Sequence, residues 1–262
     1  MITDRVNVMF DSHAHVDTRP FEDFELLAIS GVTDVLTLAH DPMRMSSSHV
    51  FKDHFDRVLS ERQRALKGGI RLHVGLGLHP RARPGDLDAC LELLEARLKA
   101  GEAVAVGEIG LEAADPFEAT MFQRQVLLAI KYDLPIIAHT PKKGKAMVTR
   151  EILHMLSTFT IAPGRVVVDH ADADTVGPIL DRSYNAGLTV QPGKLTPAAA
   201  VEIVKSHDIS RLLLNTDMSS GPTDVLSIPK TAHALRLAGV KPEVTDAVSD
   251  RNARRVFLRE SR

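Results

Sequence analysis

Short apolar runs rich in Val, Ile and Leu alternate with longer stretches of helical periodicity along the whole chain. The apolar runs predict strands over residues 6–10, 33–39, 71–78, 103–108, 134–139, 165–169, 187–191 and 211–216. The amphipathic stretches predict helices over 51–66, 87–100, 116–132, 145–159, 196–206 and 224–238, with a last helix near 242–258. Near-continuous apolar strands separated by helices mark a parallel sheet covered on both faces, and eight such units close most naturally into a (β/α)8 TIM barrel. Gly101, Gly164, Gly187 and Gly239 stand where helices should stop, while Pro116 and Pro197 suit first helical turns. A flavodoxin-like open sheet would use fewer strands and carry a phosphate-binding glycine loop after the first, where this chain has His13-Ala14-His15.

Composition narrows the picture without changing it. The 262 residues suit one barrel, read as a single domain over 1–262, and no linker or low-complexity tract argues for a second. A net charge of −2 leaves no bulk basicity, so a nucleic acid would have to be gripped by a local patch. Tryptophan is absent and only two tyrosines are present, which leaves few platforms for stacking single-stranded bases. Cys90 is the one cysteine, so no intrachain disulfide forms, and its helical context points to packing. No run approaches the roughly 20 apolar residues of a membrane span. The expectation is a cytoplasmic protein with no membrane partner.

The candidate chemistry lies at the strand ends. In Asp11-Ser12-His13-Ala14-His15 the two histidines are two residues apart, and such a pair on a strand projects to one side. Later strand-like runs end in Glu108, His139, His170 and Asp217, and barrel enzymes carry their chemistry at the carboxyl ends of their strands. Four imidazoles and two carboxylates form a nitrogen and oxygen donor set suited to Zn²⁺, Mn²⁺ or Fe, with more ligands than one tetrahedral ion needs. Two metals bridged by Glu108 would use them all. Singly, a histidine beside an apolar strand is more often a hydrogen-bonded packing residue, and a strand-end aspartate often caps a helix. Their joint arrival at five strand ends is what points to metal.

These residues also carry a family resemblance. Asp11-Ser12-His13-Ala14-His15, Gly77-Leu78-His79-Pro80, Val106-Gly107-Glu108-Ile109-Gly110-Leu111, Phe122 to Gln125, Leu134-Pro135-Ile136-Ile137-Ala138-His139, Thr216-Asp217 and the closing Asn252 to Phe257 resemble TatD-type metal-dependent hydrolases of the amidohydrolase superfamily. The resemblance spans nearly the whole chain in order. It implies a TIM barrel with one metal site formed by His13, His15, Glu108 and Asp217, and another by Glu108, His139 and His170. Many members of that family are metal-dependent deoxyribonucleases. The match departs from the pattern where substrate phosphate would be held: Pro141 stands where an arginine is usual, followed by Lys142, Lys143 and Lys145. His170-Ala171-Asp172-Ala173 replaces a His-Cys-Phe-Ser-Gly-like stretch, and Asn215 stands where a glutamate is common. Metal motifs kept beside altered substrate motifs resemble a divergent TatD-related branch.

The expected function is hydrolysis by a metal-activated water at a mono- or binuclear site, on the phosphodiesters of DNA or on a small phosphoester. One or two divalent ions, with Zn, Mn and Mg as candidates, would serve as cofactor, and Asp217 would be the general base. His79 at the mouth, Lys142 after strand five and Lys194 after strand seven are the expected substrate contacts. His40 is expected to be a pocket wall, and His49, His54, His154, His207 and His233 to be surface or packing residues. Ser219-Ser220-Gly221-Pro222 reads as a rim loop. One alternative is hydrolysis of a small-molecule amide, cyclic amide or lactone. Another is a metal-holding barrel acting as a non-catalytic assembly component, against which the intact Asp217 argues.

Overall fold

A computed structural model describes residues 8–258. Its eight strands are β1 (Met9–Ala14), β2 (Val32–Leu38), β3 (Arg71–Leu76), β4 (Ala105–Gly110), β5 (Ile136–His139), β6 (Val166–Val168), β7 (Asn185–Thr189) and β8 (Leu212–Asn215). They pair in sequence order, always in parallel. The ring closes just beyond β8, where the Asp217 N–H donates to the His13 carbonyl at 2.8 Å and the His15 N–H to the Met218 carbonyl at 2.8 Å. Closure therefore runs through the residues expected to bind metal. The fold is the TIM barrel that the alternation predicts.

The helices that cover it are α1 (Glu22–Ile29), α2 (Ser48–Lys67), α3 (Leu87–Lys99), α4 (Pro116–Lys131), α5 (Lys145–Ser157), α6 (Val176–Asp181), α7 (Pro197–Ser206) and α8 (Ser227–Leu237). Their apolar faces share one buried cluster with the outward residues of the strands. A second cluster joins Phe10, Leu36, Ala105, Ile137, Val167 and Leu213, drawn from six strands, to Val256 and Phe257. This is the filling of the barrel interior, closed from below by the C-terminal helix.

Several expectations shift. Val6 and Asn7 of the first predicted strand lie outside the described residues, and β1 runs on to Ala14, so that His13 stands within it. The helices α1 and α6 were not predicted; both are short, and α6 falls within the seventeen residues between the predicted strands at 165–169 and 187–191. The expected last helix is three pieces: α9 (Pro242–Asp246), a π-helical turn over Ala247–Arg251, and α10 (Asn252–Phe257). Gly101 and Gly239 end helices with φ of 70° and 74°, as glycine does at such positions, but Gly164 lies in a 3-10 turn and Gly187 lies inside β7. Among the described residues, no helix is long and apolar enough to cross a membrane.

The loops that carry the site are pinned from behind. Glu118 on α4 accepts three backbone N–H groups, those of Glu112, Ala113 and Ala114, which fixes the turn after β4. Gln125 on the same helix accepts the Leu78 N–H at 2.6 Å and donates to the Leu78 carbonyl at 3.0 Å, which holds the chain next to His79. Gln125 is fully buried. Replacing Gln125 by Ala orphans two buried backbone groups and is expected to lower unfolding free energy by about 2–3 kcal/mol. Urea denaturation of the variant checks this, and an unchanged midpoint would refute the pinning.

Candidate metal centre

Strand parity would not by itself bring the ligands together. Phe10 and Ala105 belong to the interior cluster, and two-residue alternation from them would turn His13 and Glu108 outward. The pairing of β1 with β2 shifts register between Asp11 and Ala14, and that of β4 with β5 between Val106 and Ile109. Such irregularities re-aim side chains, and here each turns a ligand-type residue back onto the barrel axis. His170 and Asp217 arrive differently. Both have left-handed backbones, with φ of 60° and 48°, a conformation that costs a non-glycine residue on the order of 1–3 kcal/mol and persists only where its surroundings enforce it. The Lys145 ammonium donates to the His170 carbonyl at 2.7 Å, and the Asp217 N–H is tied to His13.

Glu108 sits at the centre with its two oxygens facing different imidazoles. Its Oε2 is 3.5 Å from both His13 Nε2 and His15 Nε2, while its Oε1 is 2.7 Å from His139 Nδ1 and 3.1 Å from His170 Nε2. Asp217 Oδ1 completes the first group at 3.5 Å from His13 Nε2 and 3.1 Å from His15 Nε2. All six expected ligands are thus brought together, and one close group, His13 with His170 and Asp217, spans the two sites that the resemblance implies. His79 comes closer than expected: its Nε2 is 3.6 Å from Glu108, and it forms with Glu108 and His139 a set whose ligand atoms lie within 4.8 Å of one another. Its Nδ1 accepts the Arg81 N–H at 3.2 Å, which leaves Nε2 as the donor facing the centre in a neutral ring.

The outer nitrogens test whether these residues fit a metal. His13 Nδ1 donates to Asp169 Oδ2 at 2.7 Å, His15 Nδ1 to the Leu38 carbonyl at 3.0 Å and His139 Nε2 to Glu112 Oε2 at 2.9 Å, while His170 Nδ1 lies 2.8 Å from Thr189 Oγ1. Each ring therefore presents one nitrogen inward; the outer nitrogens of His13, His15 and His139 are anchored on acceptors, the arrangement that fixes tautomer and direction in metal-binding histidines, while that of His170 is held between Thr189 Oγ1 and the Lys194 ammonium. The donor set fits a divalent cation.

Against burial, Glu108 and Asp169 raise the His13 pKa and Glu108 raises that of His139, so these two rings hold protons where no cation takes their place. Burial pushes the Glu108 carboxyl up, but the imidazoles of His13, His139 and His79 outweigh it and hold the group well below the usual carboxylate range. Burial likewise opposes ionisation of Asp217, and the Lys194 ammonium with His15 reverses it. His170 and His79 are pushed down, first by burial, toward the neutral form that binds metal. Two buried anions need positive charge beside them.

The centre opens into a cavity of about 550 Å³ whose wall includes His40, Arg81, Lys142, Lys143 and the Ser219 to Pro222 loop. Lys194 is not on the rim: its ammonium pairs with Asp217 Oδ2 and lies 2.9 Å from His170 Nδ1. Lys142 is exposed near the loop after β7, 3.7 Å from where a Cβ on Gly193 would stand. Lys145 turns away onto the His170 carbonyl, and burial pushes its pKa down to about 8.

Sequence reasoning missed the supporting groups Asp169, Glu112 and the Arg81 to Asp41 pair; carboxylates one residue before His170 and four after Glu108 were the available signal. His40 stacks on His15 with ring centroids 4.2 Å apart and donates from Nε2 to Asp17 at 3.0 Å, while His54 accepts the His40 N–H. Both keep the wall and packing roles expected of them.

An eight-stranded parallel barrel with this donor set at its carboxyl mouth defines a class, that of the metal-dependent hydrolases. Within that class the chain belongs to the TatD related DNase family, whose profile matches residues 10–258. It is 37% identical over 248 residues to an uncharacterized metal-dependent hydrolase of Methanocaldococcus jannaschii, covering 94% of this chain and 98% of that protein. An uncharacterized metal-dependent hydrolase TatD of Mycobacterium tuberculosis is 25% identical over 277 residues, covering 95% and 97%. Among solved structures, a TatD-like protein of Archaeoglobus fulgidus superposes with a TM-score of 0.82 at 30% identity, covering 95% of this chain and 99% of that one.

Because Glu108 faces both imidazole pairs, Glu108→Ala is expected to remove at least one equivalent of bound Zn²⁺ or Mn²⁺. Metal analysis of the purified variant checks this, and unchanged content would refute the bridging position.

Proposed function

We propose that this protein hydrolyses phosphodiesters, in DNA or in small phosphoesters, using water activated at a divalent metal centre. The observation that carries this reading is Glu108 directing one oxygen to His13 and His15 and the other to His139 and His170. In this reading His13, His15, Glu108 and Asp217 hold one ion and Glu108, His139 and His170 a second, with Zn, Mn and Mg as candidates. A divalent ion held there lowers the pKa of coordinated water from about 15.7 toward 7 and offsets charge on a phosphoryl oxygen.

The side chains supply the remaining steps. Asp217 is anionic, with Oδ1 toward His13 and His15 and Oδ2 held by Gln191 and Lys194, so it is placed to take the proton of the attacking water as general base. Lys194 keeps Asp217 anionic until it takes that proton, and His79 offers its Nε2–H to a substrate oxygen. Lys142 and Lys143 face the cavity as point charges for phosphate. Apart from histidines, no aromatic side chain lines the cavity among the described residues, so recognition rests on phosphate rather than on stacked bases.

One observation favours the second reading, a small amide, cyclic amide or lactone. Arg81, the one arginine lining the cavity among the described residues, is already engaged by both oxygens of Asp41, at 2.9 and 2.8 Å. No free guanidinium fork is left for a phosphate.

Cleavage of a short single-stranded DNA and of bis(p-nitrophenyl) phosphate, with Mn²⁺ or Mg²⁺ and with chelator, tests the proposal. Asp217→Asn is expected to lose about 10²-fold or more in turnover while keeping part of its metal, and full activity would sink the base assignment. A metal-replete wild type inert on phosphodiesters but active on lactones or cyclic amides would establish the second reading.

A further inference from the structure

The support of His13 is built from three other strands and is more elaborate than that of the other ligands. Asp169, directly after β6, is buried and accepts His13 Nδ1 at 2.7 Å on Oδ2. Its other oxygen accepts Asn215 Nδ2, from β8, at 2.9 Å. Between them runs β7, and the carboxylate occupies the space over Gly187: a Cβ there would stand 1.4 Å from Asp169 Oδ1 and 3.1 Å from Asn215 Nδ2. The backbone of Asp169 is fastened as well, its N–H to the Ala138 carbonyl at 2.8 Å and its carbonyl to the Thr140 hydroxyl at 2.7 Å.

Asn215 shows what the arrangement is for. Its Nδ2 serves Asp169, whereas its Oδ1 is buried with no hydrogen-bond partner among the described residues. An unpaired buried amide oxygen is unfavourable, and a leucine of similar shape would avoid it. The amide is accounted for by its donor alone. We propose that Asp169, held by Asn215 across the gap left by Gly187, is the positioning residue that sets the tautomer and direction of His13 and thereby the affinity of the metal site built on His13 and His15. The inference rests on the reading of His13 as a metal ligand. Asp169 does not touch substrate; it acts through His13.

The test is Mn²⁺ binding to the full chain, followed by isothermal titration and by electron paramagnetic resonance of the bound ion, with thermal unfolding of each variant alongside. Asp169→Asn keeps the shape and removes the charge, and it is expected to weaken one bound equivalent 10- to 100-fold. The site of Glu108, His139 and His170 is expected to stay within about threefold. Asn215→Leu is expected to weaken the same equivalent, and the double variant to be no weaker than Asp169→Asn alone, because both act along one route. Asn215→Leu also keeps the question open to measurement if Asp169→Asn does not fold. Asn185, an equally buried amide at the other end of β7 whose Nδ2 donates to the Gly164 and Val166 carbonyls, is the control for general stability. Asn185→Leu is expected to lower Tm and leave Mn²⁺ affinity unchanged. Wild-type affinity in Asp169→Asn would overturn the proposal, as would an equal loss of affinity in Asn185→Leu. A wild type that binds neither Mn²⁺ nor Zn²⁺ would instead overturn the metal reading beneath it.

Discussion

A single carboxylate, Glu108, carries the mouth of this barrel. Burying an anion is unfavourable unless charge and hydrogen bonds are brought to it, and here five histidines from four strand ends do so. The outer nitrogens of three ligand rings are in turn fastened to a carboxylate or a carbonyl, and that of His170 lies between a hydroxyl and the Lys194 ammonium. The order spreads outward from one side chain: Glu108 orients imidazoles, the imidazoles require acceptors, and those acceptors require Asn215, Gly187 and the pinned loops behind them. Leu38 and Thr189 supply their supports from within strands, Asp169 directly after β6, and Glu112 from the turn that Glu118 pins.

The cations divide into two kinds by what they face. Lys194 and Lys145 are turned inward, the first onto Asp217 and the second onto the His170 carbonyl, and both serve the architecture of the centre. Lys142 and Lys143 stand at the opening. The inner pair fixes where Asp217 and the His170 backbone point, and the outer pair lines the cavity. That separation matters in a chain with a net charge of −2, because attraction of an anion has to come from the mouth rather than from the overall field.

Much of this was legible beforehand. Eight apolar runs separated by helical periods made a parallel barrel the simplest closure, and His13, His15, Glu108, His139, His170 and Asp217 stood where barrel chemistry is found. With one residue between them, His13 and His15 fall on the same side of an extended chain, which made the pair legible as such. Less legible were Lys194, which read as a rim lysine and lies inside the centre, and Lys145, which read as part of a basic cluster and is a backbone clamp. A long flexible side chain on a loop has no periodicity to reveal its direction.

By itself the sequence determined the order of the elements, the parallel sheet and the set of residues delivered to the carboxyl ends, because burial and donor chemistry are properties of residue type and spacing. Tertiary structure alone decided which way those residues face. The register shifts in β1 and β4 reverse the parity that Phe10 and Ala105 would impose, and no local pattern announces a bulge. Left-handed backbones at His170 and Asp217 are enforced by partners far along the chain. Asp169 and Asn215 acquire their part only when β6 and β8 flank a glycine on β7. Hydrogen-bond direction and side-chain parity depend on neighbours across the barrel, and those neighbours exist only after the ring has closed.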